Sequence, residues 1–495
     1  MNLSAAVLAV VTVLWATQTA ETTEPPAADP AEITSGAWSG TLSHDGETSA
    51  VAFEFEKGAD GKTTLKITLP AMNVAHLPIL QAPLEVRGGE VKVGPFAFQY
   101  DAAAHTLSGV MPEALVPLYR LPFTLQHVAG LDVPPSRPEP LAELAQPVWS
   151  VDAGSPLWAG PTYAEGALYF GGEDGQVLAV DARTGARRWS FKAGGPVRTR
   201  PTVDGGAVYL QADDGFLYGL AAADGSERWR VRVVEKPISR LPFDNPASRY
   251  DRFGSDVTVA GGRLYLGTHD GRVLAVEPGR GAVVWSFATG DSVLSAPSVA
   301  EGRVYAGSFD GHVYALDAAS GRLAWKRDTR GAVVSTPAPF QDRLVVGNRS
   351  YDLLGLDARS GEVAWKRYIW FSWVESSATI RDGVAYLGSS DATAAFAFEA
   401  RSGRPLWRTD VLGWAWGQPA VTAGRVYVAT SSLAGARSGH QPGLMALERA
   451  DGKVAWRYRV PAGASGPFGF PGSPATGLDL VFATGLDGRA YAFRR

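Results

Sequence analysis

The sequence predicts an all-β chain, a small β-sandwich or barrel followed by an eight-bladed β-propeller. Two observations carry this: the glycine and aromatic usage, and an eleven-residue phrase that returns seven times. Glycine supplies 57 of 495 residues (57/495, 11.5 %), with 15 Trp and 16 Tyr, where typical glycine usage is about 7 %. Such a mixture suits many short strands joined by tight turns. Charged residues are 19 % and apolar residues 45 % of the chain, enough to bury a large core and to exclude a disordered polymer. The net charge of −4 provides no phosphate-binding field, so nucleic acid is not an expected partner. Cysteine is absent, which excludes disulfides, thiolate chemistry and cysteine-held metal or haem.

Taken in order, Leu3 to Trp15 are almost continuously apolar, and small polar residues follow up to Ala20. The run is too short for the roughly 20 residues of a membrane-spanning helix. It is read as a signal peptide, residues 1–20, although no Lys or Arg precedes it. Export to the periplasm or the extracellular space is therefore expected. Lipidation at that site is excluded because no cysteine is present, and no transmembrane segment is expected in the mature chain. Residues 21–35 are read as a solvated linker.

Residues 36–129 alternate apolar and polar side chains, as in Ala50-Val-Ala-Phe-Glu-Phe-Glu and Thr64-Leu-Lys-Ile-Thr-Leu, with Asp60-Gly61 as a hairpin turn between them. Seven or eight short strands are expected. The opening Gly36-Ala-Trp38-Ser-Gly40-Thr-Leu42 resembles a β module at the front of secreted bacterial proteins, a likeness of a few residues that implies no chemistry. His44, His76, His105 and His127 are read as scattered surface residues rather than a metal site. A proline-rich stretch, residues 130–146, is read as the interdomain linker.

Residues 147–495 carry the repeat. It first reads Ala179-Val-Asp-Ala-Arg-Thr-Gly185-Ala-Arg-Arg-Trp189, and its later copies end at Trp229, Trp285, Trp325, Trp365, Trp407 and Trp456. The seventh residue is always Gly and the eleventh always Trp; the third is acidic except at Ala221. A period near forty with strand patterning means one propeller blade per repeat. The last copy is followed by three strands and no fourth. Pro147-Val-Trp149-Ser-Val, forty residues before Trp189, is the missing outer strand, so the ring should close by joining its two ends. Trp149, Trp189, Trp229, Trp285, Trp325, Trp365, Trp407 and Trp456 are thus expected to dock blade on blade.

This phrase resembles the tryptophan-docking repeat of quinoprotein-type (PQQ-like) propellers over about 350 residues. The resemblance implies one of two branches: dehydrogenases that use pyrroloquinoline quinone, or non-enzymatic envelope propellers like the outer-membrane assembly factor BamB. The dehydrogenase branch implies adjacent cysteines and a calcium site. The cysteines are absent, and Asp244, Asn245, Asp251 and Asp256, in the insertion before the third blade, read as turn-capping residues. His269 and His312 flank turn glycines and read as exposed. No G-x-S-x-G, H-E-x-x-H or C-x-x-C-H sequence occurs. The expectation is a monomeric binding platform for an envelope protein or an extended polymer, with no catalytic residue, cofactor or metal. The alternatives are a quinone-dependent oxidoreductase lacking the disulfide, and a carbohydrate-binding sensor.

Its partner-binding residues are expected in the segments that lead into each blade, which place unusual aromatics and arginines on one rim. They are Trp158, Arg198, Arg200, Arg252, Trp370, Trp373, Glu375, Trp414, Trp416, Phe468 and Phe470, with the aromatics forming an arc opposite the arginines. Trp, Tyr, Phe and Arg are the side chains enriched at interface hot spots.

Overall fold

A computed structural model describes residues 29–112, 119–131, 145–242, 245, 248–434, 440–461 and 466–495. The signal peptide, residues 21–28 and 132–144 of the two linkers, and Asp244 lie outside the described residues.

Nine strands form one antiparallel sheet between Ala37 and Val128, curled into a nearly closed barrel whose two edge strands are Val74–Ala82 and Leu84–Arg87. A barrel rather than a sandwich results because a single sheet supplies every wall. The alternating residues point inward, and Trp38, Leu42, Phe53, Phe98, Leu107 and Leu125 are fully buried. Strand Val74–Ala82 escaped sequence analysis because it does not alternate. Pro78 interrupts it, His76 has φ +52°, and the register against Thr63–Leu69 slips twice. Proline is tolerated there because the strand lies at the sheet edge. The linker expectation fails from Asp29 onward. Pro30–Ile33 is a short helix, Ile33 is fully buried, and its carbonyl accepts from Trp38 Nε1 at 3.1 Å.

The remaining chain is an eight-bladed propeller of four-stranded antiparallel blades. Blades 1 to 7 cover residues 162–192, 202–232, 258–288, 298–328, 338–368, 379–410 and 420–459. Blade 8 takes three strands from residues 475–494 and its outer strand from Trp149–Asp152, which pairs Trp149 with Ala492 and Asp152 with Arg489.

Each part of the eleven-residue phrase has a physical task. The acidic third residue accepts backbone N–H groups of its own turn, as Asp181 does from Arg183 (3.0 Å) and Thr184 (3.1 Å). The Gly has positive φ, and the preceding blade's Trp lies flat over it. A Cβ on Gly225 would sit 2.5 Å from Trp189, and one on Gly361 would sit 2.6 Å from Trp325. The Trp indole then donates to a carbonyl in that same turn, Trp189 to Ala222 at 2.9 Å and Trp325 to Ala358 at 3.1 Å. Invariant Gly and invariant Trp are therefore two halves of one contact between neighbouring blades. Trp456 has no such turn ahead of it and packs against Phe493 of blade 8.

The barrel docks on the outer side of blades 5 and 6. Tyr368 and Phe371 join the barrel's own apolar core, and half-buried Trp370 packs against it. Tyr119 donates its hydroxyl to the Ser350 carbonyl (2.8 Å), with Asp352 Oδ2 at 3.0 Å. Lys366 pairs with Asp45, and Asn73 Nδ2 donates to Thr393 Oγ1 (3.0 Å). His44 is not a surface residue: its ring sits between Tyr119 (4.6 Å) and Tyr368 (4.5 Å).

Candidate functional site

The segments joining successive blades converge on one end of the propeller axis, and the repeat explains how. Five of the eight carry a small hydroxyl residue, Thr199, Ser255, Ser295, Ser335 or Ser376, that ties the segment to the end of the blade's second strand, and Ala or Gly stands there in the other three. Ser295 Oγ, for example, donates to the Gly307 carbonyl (2.9 Å) and accepts from Gly307 N (2.8 Å), and Ser335 does the same with Gly347. The next residue then points at the axis. One residue per blade results: Gly160, Arg200, Asp256, Ala296, Thr336, Ser377, Gln418 and Ser473, all lining one cavity of about 90 Å³. Only Arg200 and Asp256 in that ring are charged, and they are neighbours. Asp256 Oδ1 accepts the Arg200 backbone N–H (2.7 Å), and Arg200 Nε donates to Thr162 Oγ1 (3.0 Å). Protein surrounds both, so they keep surface only toward the cavity. Burial pushes the Asp256 carboxyl up to about 6, against the opposing pull of Arg200. Asp256 is therefore a cavity residue bonded across blades and not a turn cap.

Above this ring the arrangement departs from the expected open rim. The described residues of the insertion between blades 2 and 3, 233–242, 245 and 248–257, run across the mouth. Phe253 meets Trp158 (6.3 Å) and Trp416 (6.3 Å), and Tyr250 meets Trp373 edge-on (5.8 Å). Arg349 of blade 5 donates to the carbonyls of Arg249 (2.6 Å) and Tyr250 (3.0 Å) and binds Glu375 (2.6 Å). The aromatic and cationic arcs do not face each other across open space, because the insertion joins them.

Several expected partner-binding residues are consequently interior. Trp158 is 4 % exposed and donates to Glu173 (3.1 Å), with the Arg198 and Arg252 guanidiniums over its ring. Arg198 pairs with Glu173 and Asp213, and Arg252 donates to the Leu241 carbonyl; both are buried. Phe470 is fully buried against Tyr458 and Tyr491. Trp370 is half-buried against the barrel, edge-on to Tyr368 (4.9 Å). Burial wins in each case because a large ring or a long aliphatic stem gains more from packing than from solvent. Trp373, Trp414, Trp416 and Phe468 stay half-buried on the rim. Trp414 and Trp416 stack at 5.2 Å, and Trp416 Nε1 donates to Ser390 Oγ (3.2 Å). Glu375 is held by Arg349.

Sequence reasoning passed over Glu173, Asp213 and Arg349 and read His269 as exposed. A usable signal was present: each stands two places before the glycine, or its substitute, in the turn after a blade's second strand. That position varies while the turn does not. It faces the mouth, where Asp213 holds Arg240 (2.9 Å) and Arg198. His269 is not exposed; it binds Asp251 at 3.0 Å. Burial alone would raise Asp251, but the His269 bond and the charge of Arg240 hold it down at about 2. His312 is likewise half-buried, beside Asp310.

The calcium of the dehydrogenase branch does not fit the cavity lining: Asp256 and Glu375 are its only carboxylates, and the guanidiniums of Arg198 and Arg200 line the same cavity. Among the described residues, no group of three His, Asp or Glu side chains is placed to hold a metal ion.

Among solved structures, the fold is similar to BamB from Moraxella catarrhalis, at 17 % identity and TM-score 0.53, over 71 % of this chain and 98 % of that one. It is also similar to quinohemoprotein alcohol dehydrogenase from Comamonas testosteroni (14 %, 0.54, over 71 % and 76 %). A third neighbour is Sqt1 of Saccharomyces cerevisiae (11 %, 0.56, over 72 % and 100 %). At such identities the likeness is one of fold. A search of curated proteins returns no match. Residues 143–249, 242–372 and 371–495 match the family model described as outer membrane protein assembly factor BamB, and the chain belongs to that family.

Proposed function

We propose that this chain is a non-catalytic binding platform of the cell envelope, which engages an envelope protein or an extended polymer at the propeller mouth. The observation that carries this reading is the insertion across the mouth. On it Tyr250 is 41 % exposed while its ring packs against Trp373, and Leu241 is 45 % exposed. A rigid aromatic anchor beside an exposed aliphatic residue, within a polar surround, is the make-up of an interface hot spot. The family description, an assembly factor, supports the same reading. Export rests on the apolar run that ends before Ala20. No helix among the described residues is long and apolar enough to cross a membrane.

The test compares the full chain with Tyr250→Ala and Leu241→Ala variants in pull-downs from envelope extract. Melting temperatures should stay close, since exposed substitutions usually change stability by less than about 0.5 kcal/mol. Retention of the specific partner should fall by about 2 kcal/mol per hot-spot residue. A calcium-dependent quinone absorbance with dye reduction after reconstitution would overturn the reading.

A further inference from the structure

The axial cavity holds more donors than its walls can use. Arg198, at its upper wall, is buried, and its Nη1 has no hydrogen-bond partner among the described residues. Around Arg198, the guanidiniums of Arg198, Arg240 and Arg252 share the carboxylates Glu173 and Asp213, and Arg240 also acts on Asp251. Arg200 spends its Nε on Thr162, and among the described residues its terminal nitrogens meet no protein acceptor. Ser377 and Ser473 accept backbone N–H groups from Thr336 (2.8 Å) and Gln418 (2.9 Å). Neither hydroxyl proton is given a protein acceptor among the described residues. All four side chains line the same cavity. Buried donors without acceptors are costly, and charged ones most of all.

We propose that the axial cavity binds one small oxyanion, a carboxylate or an inorganic phosphate or sulfate, gripped by Arg200, completed by the Ser377 and Ser473 hydroxyls, and favoured by the charge of Arg198 in the wall. The planar guanidinium fork matches such an ion and gives short, charge-assisted bonds. A volume of about 90 Å³ admits an ion of a few heavy atoms and excludes a nucleotide. The other charged groups facing the site are Glu375, which Arg349 holds, and Asp256. Protonated Asp256 turns from a repelling neighbour into a further donor, so the ion should bind tighter as the pH falls through about 6.

Isothermal titration of the full chain with sulfate and with acetate tests this, sulfate because its own charge is constant across the range. One site per chain is expected, with affinity several-fold higher near pH 5.5 than near pH 8. Arg200→Met should weaken binding at least about tenfold. Ala296→Glu places a carboxylate in the same ring and should abolish binding, while Leu323→Glu, an exposed position on the outer strand away from the cavity, leaves it unchanged. Should Arg200→Met fail to fold, Ala296→Glu against Leu323→Glu decides. Absence of saturable binding at either pH overturns the proposal. So does undiminished binding by a folded Arg200→Met or Ala296→Glu chain.

Discussion

The outer girdle of the propeller and its mouth use the same side chains in opposite ways. On the girdle, Trp149 through Trp407 repeat one contact seven times: indole over the next blade's glycine, N–H to that blade's turn carbonyl. At the mouth, Trp158, Trp370, Trp373, Trp414 and Trp416 all stand in segments that lead into a blade, yet their surroundings vary: arginines and Phe253 for Trp158, the barrel for Trp370, Tyr250 for Trp373, and each other for Trp414 and Trp416. A repeated contact gives strength through number, with little room for novelty at any one blade. A singular contact is free to vary, and function collects there.

The largest effect should come from the girdle. Deleting residues 147–151 removes the strand that closes blade 8 and leaves an open edge beside Ala492. It should lower stability by more than the roughly 3–5 kcal/mol expected for Trp189→Ala alone, as read by denaturant melts. A Trp414→Ala variant as destabilised as Trp189→Ala would erase the distinction between girdle and mouth.

At the mouth, Asp256 gives a pH-dependent effect of intermediate size. An unfolded Asp titrates near 4, and the enclosed one at about 6. The folded chain therefore holds a proton that the unfolded chain has lost. Stability from this group is complete below about pH 4 and disappears as the pH rises through 6. At about pH 7.5, Asp256→Asn should be the more stable chain, by up to about 3 kcal/mol, and the two should converge near pH 4. Equal curves would mean that Asp256 is not enclosed.

The smallest effect should lie at the barrel junction. Tyr119→Phe leaves the buried Ser350 carbonyl and Asp352 without their hydroxyl. A loss of about 1–2 kcal/mol is expected. Loss of a single cooperative transition in that variant would show that barrel and propeller are coupled mainly through Tyr119.

The propeller was legible because its rules recur. The count of eight, the closing strand and the docking tryptophans all follow from one phrase whose Gly and Trp are a steric pair. The barrel was legible where side chains alternate, and illegible at Val74–Ala82, where Pro78 and a bulged register remove the alternation. Most of the mouth was not. Periodicity places Phe470 and Phe468 two residues apart on one strand end, but only tertiary packing buries the first fully and leaves the second half-buried. Arg198 and Trp158 looked like surface groups because their partners, Glu173 and Asp213, belong to a different loop class. The insertion that roofs the cavity has no repeat to be compared with.

Ring closure also sets an order of events for a growing chain. Trp149 is made well before its partner Ala492, which lies more than three hundred residues further along the chain. Until then the closing strand has no ladder to join, and Val148 and Trp149 remain an unpaired apolar edge, the kind of segment that seeds aggregation. Long-range pairing of this sort is slow because loop entropy must be spent before any contact rewards it. The folded ring should therefore appear late and abruptly during synthesis, and chains truncated before Arg489 should be captured by chaperones rather than accumulate as seven-bladed intermediates.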